Sequence, residues 1–513
     1  MNANGVNSVS TRTFGFRPAA SSDRALNILY WSLPLVLTGV QYWVTATSMH
    51  EIRNEELAES VRNVFWLSHR LVYDGASSNI GWHGMLLIVY ELFGFSLHSA
   101  KFVRLGLYFI GLTCAADILR RFMGLQTAIV PLVAMGLSPI LLYFTSLQTS
   151  NGIDLPYAAI SLWLLLSVRP DSRTPLELAK IFLCGMVVMI AAMSYPTFLL
   201  YWPSFLLVAV WWTRGNKFAG PSLRWRTWQG LSATAGLAIP LLIAFTYVIT
   251  PGLLFLDPAT HSGLFRGGGV LGFDPVVFTR AVFTVLRDLM LHGQSYEFEV
   301  SRPDFFGPLA IVGLCSVAIT TIYLWVKRQA ERTILIAAVM LLAVNLVVPC
   351  LAIGAYPGIR RSTGILAAYF ALFSISWYFY RTTDAPIMVW ARRTGIFICL
   401  LVPLDNALKI PSLVRDLAQD SKFRNTDWFA IAATPTKSLE LLLAQLDGGE
   451  RLSCPVDDDQ QITHCRYQEV YAAIAGYQLW NYGWTPDIWA IDWKTGRESN
   501  LTPSLWTSYY FPH

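Results

Sequence analysis

Residues 25–46 read ALNILYWSLPLVLTGVQYWVTA, an apolar stretch long enough to cross the hydrocarbon core of a membrane as one helix. Comparable apolar runs recur along the chain as far as residue 410. Apolar residues make up 54% of the sequence and charged residues 14%, against about 45–50% and about 25% in soluble globular proteins. Because a chain that crosses a bilayer must satisfy its backbone hydrogen bonds internally, these runs predict an all-α, multi-pass membrane protein.

The apolar runs predict about eleven membrane-spanning helices. They cover residues 25–46, 105–119, 125–144, 153–168, 178–195, 198–212, 228–249, 305–326, 334–353, 365–380 and 394–410. The second would begin earlier if the side chains of Lys101 and Arg104 extend towards the interface. The chain therefore divides into an N-terminal tail of residues 1–24, a transmembrane module of residues 25–410 and a small domain of residues 411–513, which we expect to be α+β.

Lysine and arginine predict the orientation, because short cytoplasmic loops carry an excess of them. If the N-terminus is cytoplasmic, the inner segments hold Arg12, Arg17, Arg24, Arg120, Arg121, Arg169, Arg173, Arg214, Lys217, Arg224, Arg226, Lys327, Arg328, Arg332, Arg381, Arg392 and Arg393. An odd number of spans then places the C-terminal domain outside. The 38 basic and 33 acidic residues leave a net charge of +5 without a basic block, which excludes a nucleic-acid partner.

The cysteines support this orientation. Cys454 and Cys465 are the two cysteines of the C-terminal domain, and the others fall within apolar runs. A close pair in a polar segment is typical of a disulfide in an oxidising compartment, although two unpaired thiols are the alternative.

The first outer loop, residues 47–99, begins with an amphipathic helix. Glu51, Glu55 and Glu59 recur every four residues and so share one helical face. An acidic face just outside a membrane suits binding a cation or removing a proton from a hydroxyl, whereas the alternative is a solvated helix face. Residues 82–93 form a second amphipathic stretch too short to span. There His83 could donate to a phosphate or sugar oxygen, or could be a polar anchor.

Two later outer turns have charged side chains shortly before an apolar span begins. Asp154 stands at the mouth of the fourth span, where an ionisable group faces a cavity by default, although it could also cap the helix. Arg360 and Arg361 lie on an outer turn, against the positive-inside trend. Adjacent guanidinium groups suit binding of a phosphate, with lipid headgroup anchoring as the alternative. A further long outer loop covers residues 251–302.

These loops resemble the GT-C class of integral-membrane glycosyltransferases, especially bacterial relatives of protein O-mannosyltransferase and aminoarabinose transferase. The resemblance runs over most of residues 25–410 through degenerate motifs. They are residues 58–63 (AESVRN), 73–75 (YDG), His83, 91–94 (ELFG), 120–124 (RRFMG), 138–144 (SPILLYF) leading to Asp154, and 194–196 (SYP).

The resemblance implies a GT-C fold and a function. Enzymes of this class transfer a sugar from a polyprenyl-phosphate donor to a lipid, glycan or protein acceptor at the outer face of a membrane, here that of the bacterial plasma membrane. Glu51 or Glu55 would be the catalytic base, with the choice between them open. Asp154 would orient the acceptor or, with Glu51, hold Mg²⁺ or Mn²⁺. His83, Arg360 and Arg361 would bind the phosphate or sugar, and attack opposite the phosphate would invert the anomeric carbon.

Three other functions fit a polytopic chain. A secondary transporter would place binding groups near the midplane of broken, repeated helices, whereas here the charges gather at one face. A lipid-linked polysaccharide polymerase or ligase would depend more on the outer arginines than on the glutamates. A noncatalytic assembly scaffold is the third alternative, if the acidic residues only form the solvated face of a helix.

Overall fold

The computed structural model describes most of the transmembrane module and a small part of the C-terminal domain. The described residues are 24–47, 79–93, 97–146, 150–215, 222–247, 308–327, 332–353, 363–382 and 389–419, six residues between 275 and 283, and four short strands between residues 472 and 500.

The described part of the transmembrane module is helical. In chain order the helices are α1 Arg24–Thr47, α2 Ile80–Phe93, α3 Leu97–Met123, α4 Leu125–Gly136, α5 Pro139–Ser146, α6 Asp154–Ser167, α7 Pro175–Ser194, a 3₁₀ helix Pro196–Tyr201, α8 Trp202–Gly215, α9 Leu223–Tyr247, α10 Pro308–Lys327, α11 Arg332–Ile353, α12 Gly364–Thr382 and α13 Val389–Gln419. Proline is the first residue of α5, α7 and α10, where its missing N–H would have had no helical partner.

Each of the eleven predicted segments overlaps a helix, but fewer helices have the length and apolarity of a full span. Among the described residues there are five: Ser99–Met123, Pro175–Ser194, Pro196–Arg214, Leu223–Ala244 and Val389–Arg415. A sixth is reached if the bent pair α4 and α5 counts as one span. Other predicted segments form shorter apolar helices, such as Asp154–Ser167. The described ranges therefore form a multi-pass helical protein with five or six candidate spans, where the sequence predicts about eleven.

The predicted span over residues 125–144 is broken. Its two halves, α4 and α5, are bent by 54° because Pro139 cannot continue the hydrogen-bond ladder. Neighbouring helices satisfy two of the carbonyls before the break. Tyr108 Oη donates to Gly136 O at 2.8 Å, and Asn406 Nδ2 donates to Ala134 O at 2.9 Å. Side chains from α3 and α13 thus make the break compatible with an apolar environment.

Close packing of glycines brings α7 and α9 together. A Cβ atom added to Gly236 would lie 2.2 Å from Phe182 O and 3.2 Å from the Cα of Gly185. Ser232 Oγ also donates to Leu178 O at 2.7 Å across the same pair of helices. Small residues that allow two backbones to approach are the usual basis of helix association in a membrane.

Part of the C-terminal domain is an antiparallel sheet of four strands. The strands are β1 Ala472–Ile474, β2 Tyr477–Asn481, β3 Ile488–Asp492 and β4 Glu498–Asn500, in the spatial order β1-β2-β3-β4. Each strand pairs with the next along the chain, for example Trp480 with Trp489.

Candidate active site

Asp154 is buried at the beginning of α6. The helix starts at this residue, and its side chain is 0% exposed. A carboxylate removed from solvent in an apolar helical module needs polar partners, because the desolvation cost is otherwise several kcal/mol. The sequence predicts that such a group lies at a site, and the structure shows which side chains surround it.

Two hydroxyl groups from distant parts of the chain hold one oxygen of this carboxylate. Tyr201, at the end of the 3₁₀ helix, donates from its hydroxyl to Asp154 Oδ2 at 2.8 Å. Thr363, directly before α12, donates from Oγ1 to the same oxygen. The other oxygen, Oδ1, is buried and accepts no hydrogen bond from the residues that the structure describes. The carboxylate is therefore held by one oxygen, and its second oxygen can accept a donor from a ligand.

A buried arginine supports the turn that leads to Asp154. Arg104 on α3 is 2% exposed, and its Nη2 donates to Phe144 O at 2.5 Å and to Asn151 O at 2.7 Å. Lys101, one turn earlier on α3, is 1% exposed. The helix does begin before residue 105, at Leu97, but not because these two side chains extend towards the interface. Both lie inside the protein, and Arg104 bonds to backbone carbonyls instead.

His83 lies in the first turn of α2 and is 0% exposed, so it is not at a solvent-facing position. Its neighbour Trp82 is also fully buried, and the guanidinium carbon of Arg104 lies 5.8 Å from the centre of the Trp82 ring. Arg104 therefore lies between the start of α2, which carries His83, and the turn that precedes Asp154.

An apolar cavity of about 310 Å³ extends from this region between the helices. The cavity is lined by Leu155 and Pro156, which follow Asp154 in the chain, and by Tyr201, which donates to the Asp154 carboxylate. Its walls also include Met123 and Thr382, the last residues of α3 and α12. Most of the lining residues are aliphatic or aromatic, and such a cavity suits a long hydrocarbon chain.

Several predicted site residues lie outside the described part of the chain. They are Glu51, Glu55, Arg360, Arg361, Cys454 and Cys465. Their predicted roles as base, phosphate ligands and disulfide stay predictions. Of the predicted site, the structure places His83 and Asp154.

The described residues do not by themselves form a metal site. A divalent cation such as Mg²⁺ takes several oxygen ligands, and Asp154 Oδ1 is one suitable oxygen. Within the described ranges, however, no group of three or more histidine, cysteine, aspartate or glutamate side chains lies together. A metal held by Asp154 would therefore need ligands from elsewhere, of which Glu51 is the predicted one.

Comparison with known proteins finds similarity at the level of the fold. No protein-family model and no curated protein sequence matches the chain. Among solved structures, the chain matches the apo oligosaccharyltransferase of Archaeoglobus fulgidus with 12% identity and a TM-score of 0.49, over 85% of this chain and 59% of that one. It also matches ArnT from Cupriavidus metallidurans, solved with undecaprenyl phosphate, with 13% identity and a TM-score of 0.46, over 81% and 82% of the two chains.

The archaeal enzyme AglB has also been solved with an inhibitory peptide and a dolichol-phosphate, and in that structure it matches with 12% identity and a TM-score of 0.44, over 85% of this chain and 59% of that one. A further structure of the archaeal enzyme contains Zn and sulfate. The chain therefore spans about three fifths of the oligosaccharyltransferase. Both enzymes are GT-C membrane glycosyltransferases, the class that the loop motifs resemble.

Three residues of the site were not predicted as site residues from the sequence: Tyr201, Thr363 and Arg104. Tyr201 and Thr363 stand 47 and 209 residues from Asp154, and no local pattern links them to it. Arg104 did carry a signal, because a charged residue within an otherwise apolar helix has a functional or structural partner by default.

Proposed function

We propose that the protein is a membrane glycosyltransferase that moves a sugar from a polyprenyl-phosphate donor to an acceptor at the outer face of the bacterial plasma membrane, with inversion at the anomeric carbon. One observation carries the proposal. A buried carboxylate, Asp154, is held by two hydroxyls, and one of these belongs to Tyr201, which lines an apolar cavity between the helices.

The cavity would take part of the polyprenyl chain, which would leave the phosphate and sugar outside it, near Asp154. The acceptor oxygen forms a bond to the anomeric carbon while the bond from that carbon to the phosphate oxygen breaks. The acceptor proton passes to the carboxylate of the base, Glu51 or Glu55, and polyprenyl phosphate leaves. Asp154 Oδ1 would accept a hydrogen bond from the acceptor and so orient it.

Positive charge near the phosphate would stabilise the leaving group as its negative charge develops. Arg360 and Arg361 are the residues that we assign to this task, and His83 would donate to the phosphate or sugar.

Turnover in reconstituted vesicles tests the proposal. The wild-type protein is supplied with radiolabelled sugars on undecaprenyl phosphate and on dolichol phosphate, the lipids present in two of the matched structures. We expect donor consumption that Asp154→Asn, Glu51→Gln or Glu55→Gln reduces strongly. Glu177→Gln is the matched control, because Glu177 lies in the first turn of α7, where it pairs with Lys180 at 2.8 Å.

Unchanged turnover in all three site variants would contradict our assignment of the site residues. No turnover with any donor would contradict the proposed function and favour a transporter or a scaffold. A loss in Glu177→Gln equal to that in Asp154→Asn would show that the substitutions act through general instability.

A further inference from the structure

Arg104 makes an unusual pair of contacts for an arginine within an apolar helix. A single nitrogen, Nη2, donates to two backbone carbonyls, Phe144 O at 2.5 Å and Asn151 O at 2.7 Å. The two acceptors belong to different elements, since Phe144 is in the last turn of α5 and Asn151 lies in the turn before α6. One guanidinium group therefore joins both ends of the connection between these helices.

Local chemistry explains why a cation belongs at this point. The last carbonyls of a helix have no partner within the helix, and the C-terminal end of its dipole is negative. The turn is also closely packed, because Gly152 has φ +70° and a Cβ atom there would lie 2.8 Å from the Cβ of Phe144. The turn before α6 is thus packed against the end of α5, and Arg104 bonds to both.

The same guanidinium group contacts the two segments that carry the described residues of the predicted site. It donates to Asn151 O, and Asn151 lies three residues before Asp154. On the opposite side it faces the ring of Trp82 at 5.8 Å, within the range of a cation–π contact, and Trp82 precedes His83.

We propose that Arg104 is a positioning residue of the site. It holds the connection between α5 and α6 so that the Asp154 carboxylate stays against Tyr201 and Thr363, and it aligns the start of α2 with that carboxylate. The role in turnover rests on the proposed function, whereas the role in holding the connection does not.

The first experiment measures kcat and KM for the donor in wild type, Arg104→Met and Arg104→Lys. Loss of the contacts should reduce kcat by roughly 100-fold, because a misplacement of about 1 Å in a site can cost that much. We expect the donor KM to change by less than about threefold, since the positioned group acts on the reacting atoms rather than on the lipid. Lysine keeps the charge on a shorter side chain, so Arg104→Lys should recover part of the kcat.

Arg121→Met is the matched control on the same helix. Arg121 lies at the other end of α3, where it pairs with Asp117 and donates to Leu166 O at 3.4 Å. An equal loss of kcat in Arg121→Met would mean that any paired arginine of α3 has this effect and would overturn the inference. A donor KM that rises while kcat is unchanged would also overturn it, because Arg104 would then bind the donor directly.

A second experiment reports on the connection without any turnover. Asn151→Cys places a thiol at a position that is 1% exposed in the native protein and keeps the backbone carbonyl that Arg104 contacts. Its rate of maleimide modification, located by mass spectrometry, is compared in three backgrounds: no further change, Arg104→Met and Arg121→Met. We expect modification to become at least roughly tenfold faster with Arg104→Met alone, since a released segment opens more often.

The two experiments separate the inference from the proposed function. Faster modification with Arg104→Met in a protein that consumes no donor would support the positioning of the connection and contradict the glycosyltransferase. Full turnover by the wild type, with modification that Arg104→Met leaves unchanged, would contradict the role of Arg104 and leave the proposed function standing.

Discussion

Asp154 is fully buried, and its two carboxylate oxygens accept different numbers of hydrogen bonds. Oδ2 accepts from Tyr201 and Thr363, whereas Oδ1 accepts from no group in the described ranges of the chain. A buried acceptor without a donor costs about 1–3 kcal/mol, so a donor from a ligand or a water at this oxygen would be stabilising. The arrangement fits a carboxylate that is oriented by the protein through one oxygen and meets its ligand through the other.

The hydroxyls that hold Asp154 can be tested singly. We expect Tyr201→Phe or Thr363→Val to lower kcat by roughly 10- to 100-fold, because hydrogen bonds to charged groups contribute about 1.5–3 kcal/mol. The measurement is turnover of the polyprenyl-phosphate donor at saturation. Tyr380→Phe is the control, since the Tyr380 hydroxyl contacts Ser316 and Thr320 instead. Equal kcat values in Tyr201→Phe and Tyr380→Phe would contradict this role of the hydroxyl.

At the scale of elements, the break between α4 and α5 depends on side chains from other helices. Tyr108→Phe removes the donor to Gly136 O and leaves that carbonyl unsatisfied in an apolar environment. We expect the protein to be less stable by about 1–3 kcal/mol, measured by thermal unfolding in detergent micelles. Tyr42→Phe is the control, because Tyr42 is 48% exposed on α1. If both variants unfold at the wild-type temperature, the break does not depend on Tyr108.

The contact of α7 with α9 gives a second test at this scale. Gly236→Ala puts a Cβ atom 2.2 Å from Phe182 O, so the helices must separate, and overpacking of this kind costs about 1–3 kcal/mol. Gly230 lies on the same helix, and a Cβ atom added there would meet nothing within 4 Å, so Gly230→Ala should be neutral or slightly stabilising. Thermal unfolding distinguishes the two variants. A destabilisation of equal size in both would show that the glycine contact is not the cause.

At the scale of the whole molecule, the cavity joins the site to the interior of the helical module. Ala159→Phe would fill part of it, because Ala159 lines the cavity. Each CH₂ group that loses its burial costs about 0.8 kcal/mol, so displacement of a few groups should raise the KM for a long-chain donor at least roughly tenfold. A donor with a short chain should be unaffected. Ala235→Phe on the exposed side of α9 is the control. An equal rise in the KM of short-chain and long-chain donors would show that the polyprenyl chain does not lie in this cavity.

The predicted orientation is also a property of the whole molecule. After reduction, a membrane-impermeant thiol reagent added outside intact cells should modify Cys454 and Cys465, because the positive-inside pattern places the C-terminal domain outside. The same reagent should reach them without reduction if they are unpaired. Modification only after access to the cytoplasm would reverse the orientation and, with it, the side on which the proposed site opens.

The sequence by itself determined the class of the protein and the approximate position of its helices. Each apolar run makes its backbone hydrogen bonds within its own helix. It can therefore be recognised from its length and composition, without knowledge of the neighbouring helices. All the predicted segments overlap helices for that reason. The need of Asp154 for polar partners was recognisable in the same way, since a carboxylate at the start of an apolar run is costly without them.

Only the tertiary structure decided which side chains contact Asp154 and how the spans are arranged. Tyr201 and Thr363 reach it from 47 and 209 residues away, and contacts across such separations depend on how whole helices are packed together. The same is true of the broken span at Pro139 and of the burial of Lys101 and Arg104. A pattern read along one segment contains no information on which neighbour satisfies a freed carbonyl or a buried charge, because that partner is supplied by another segment.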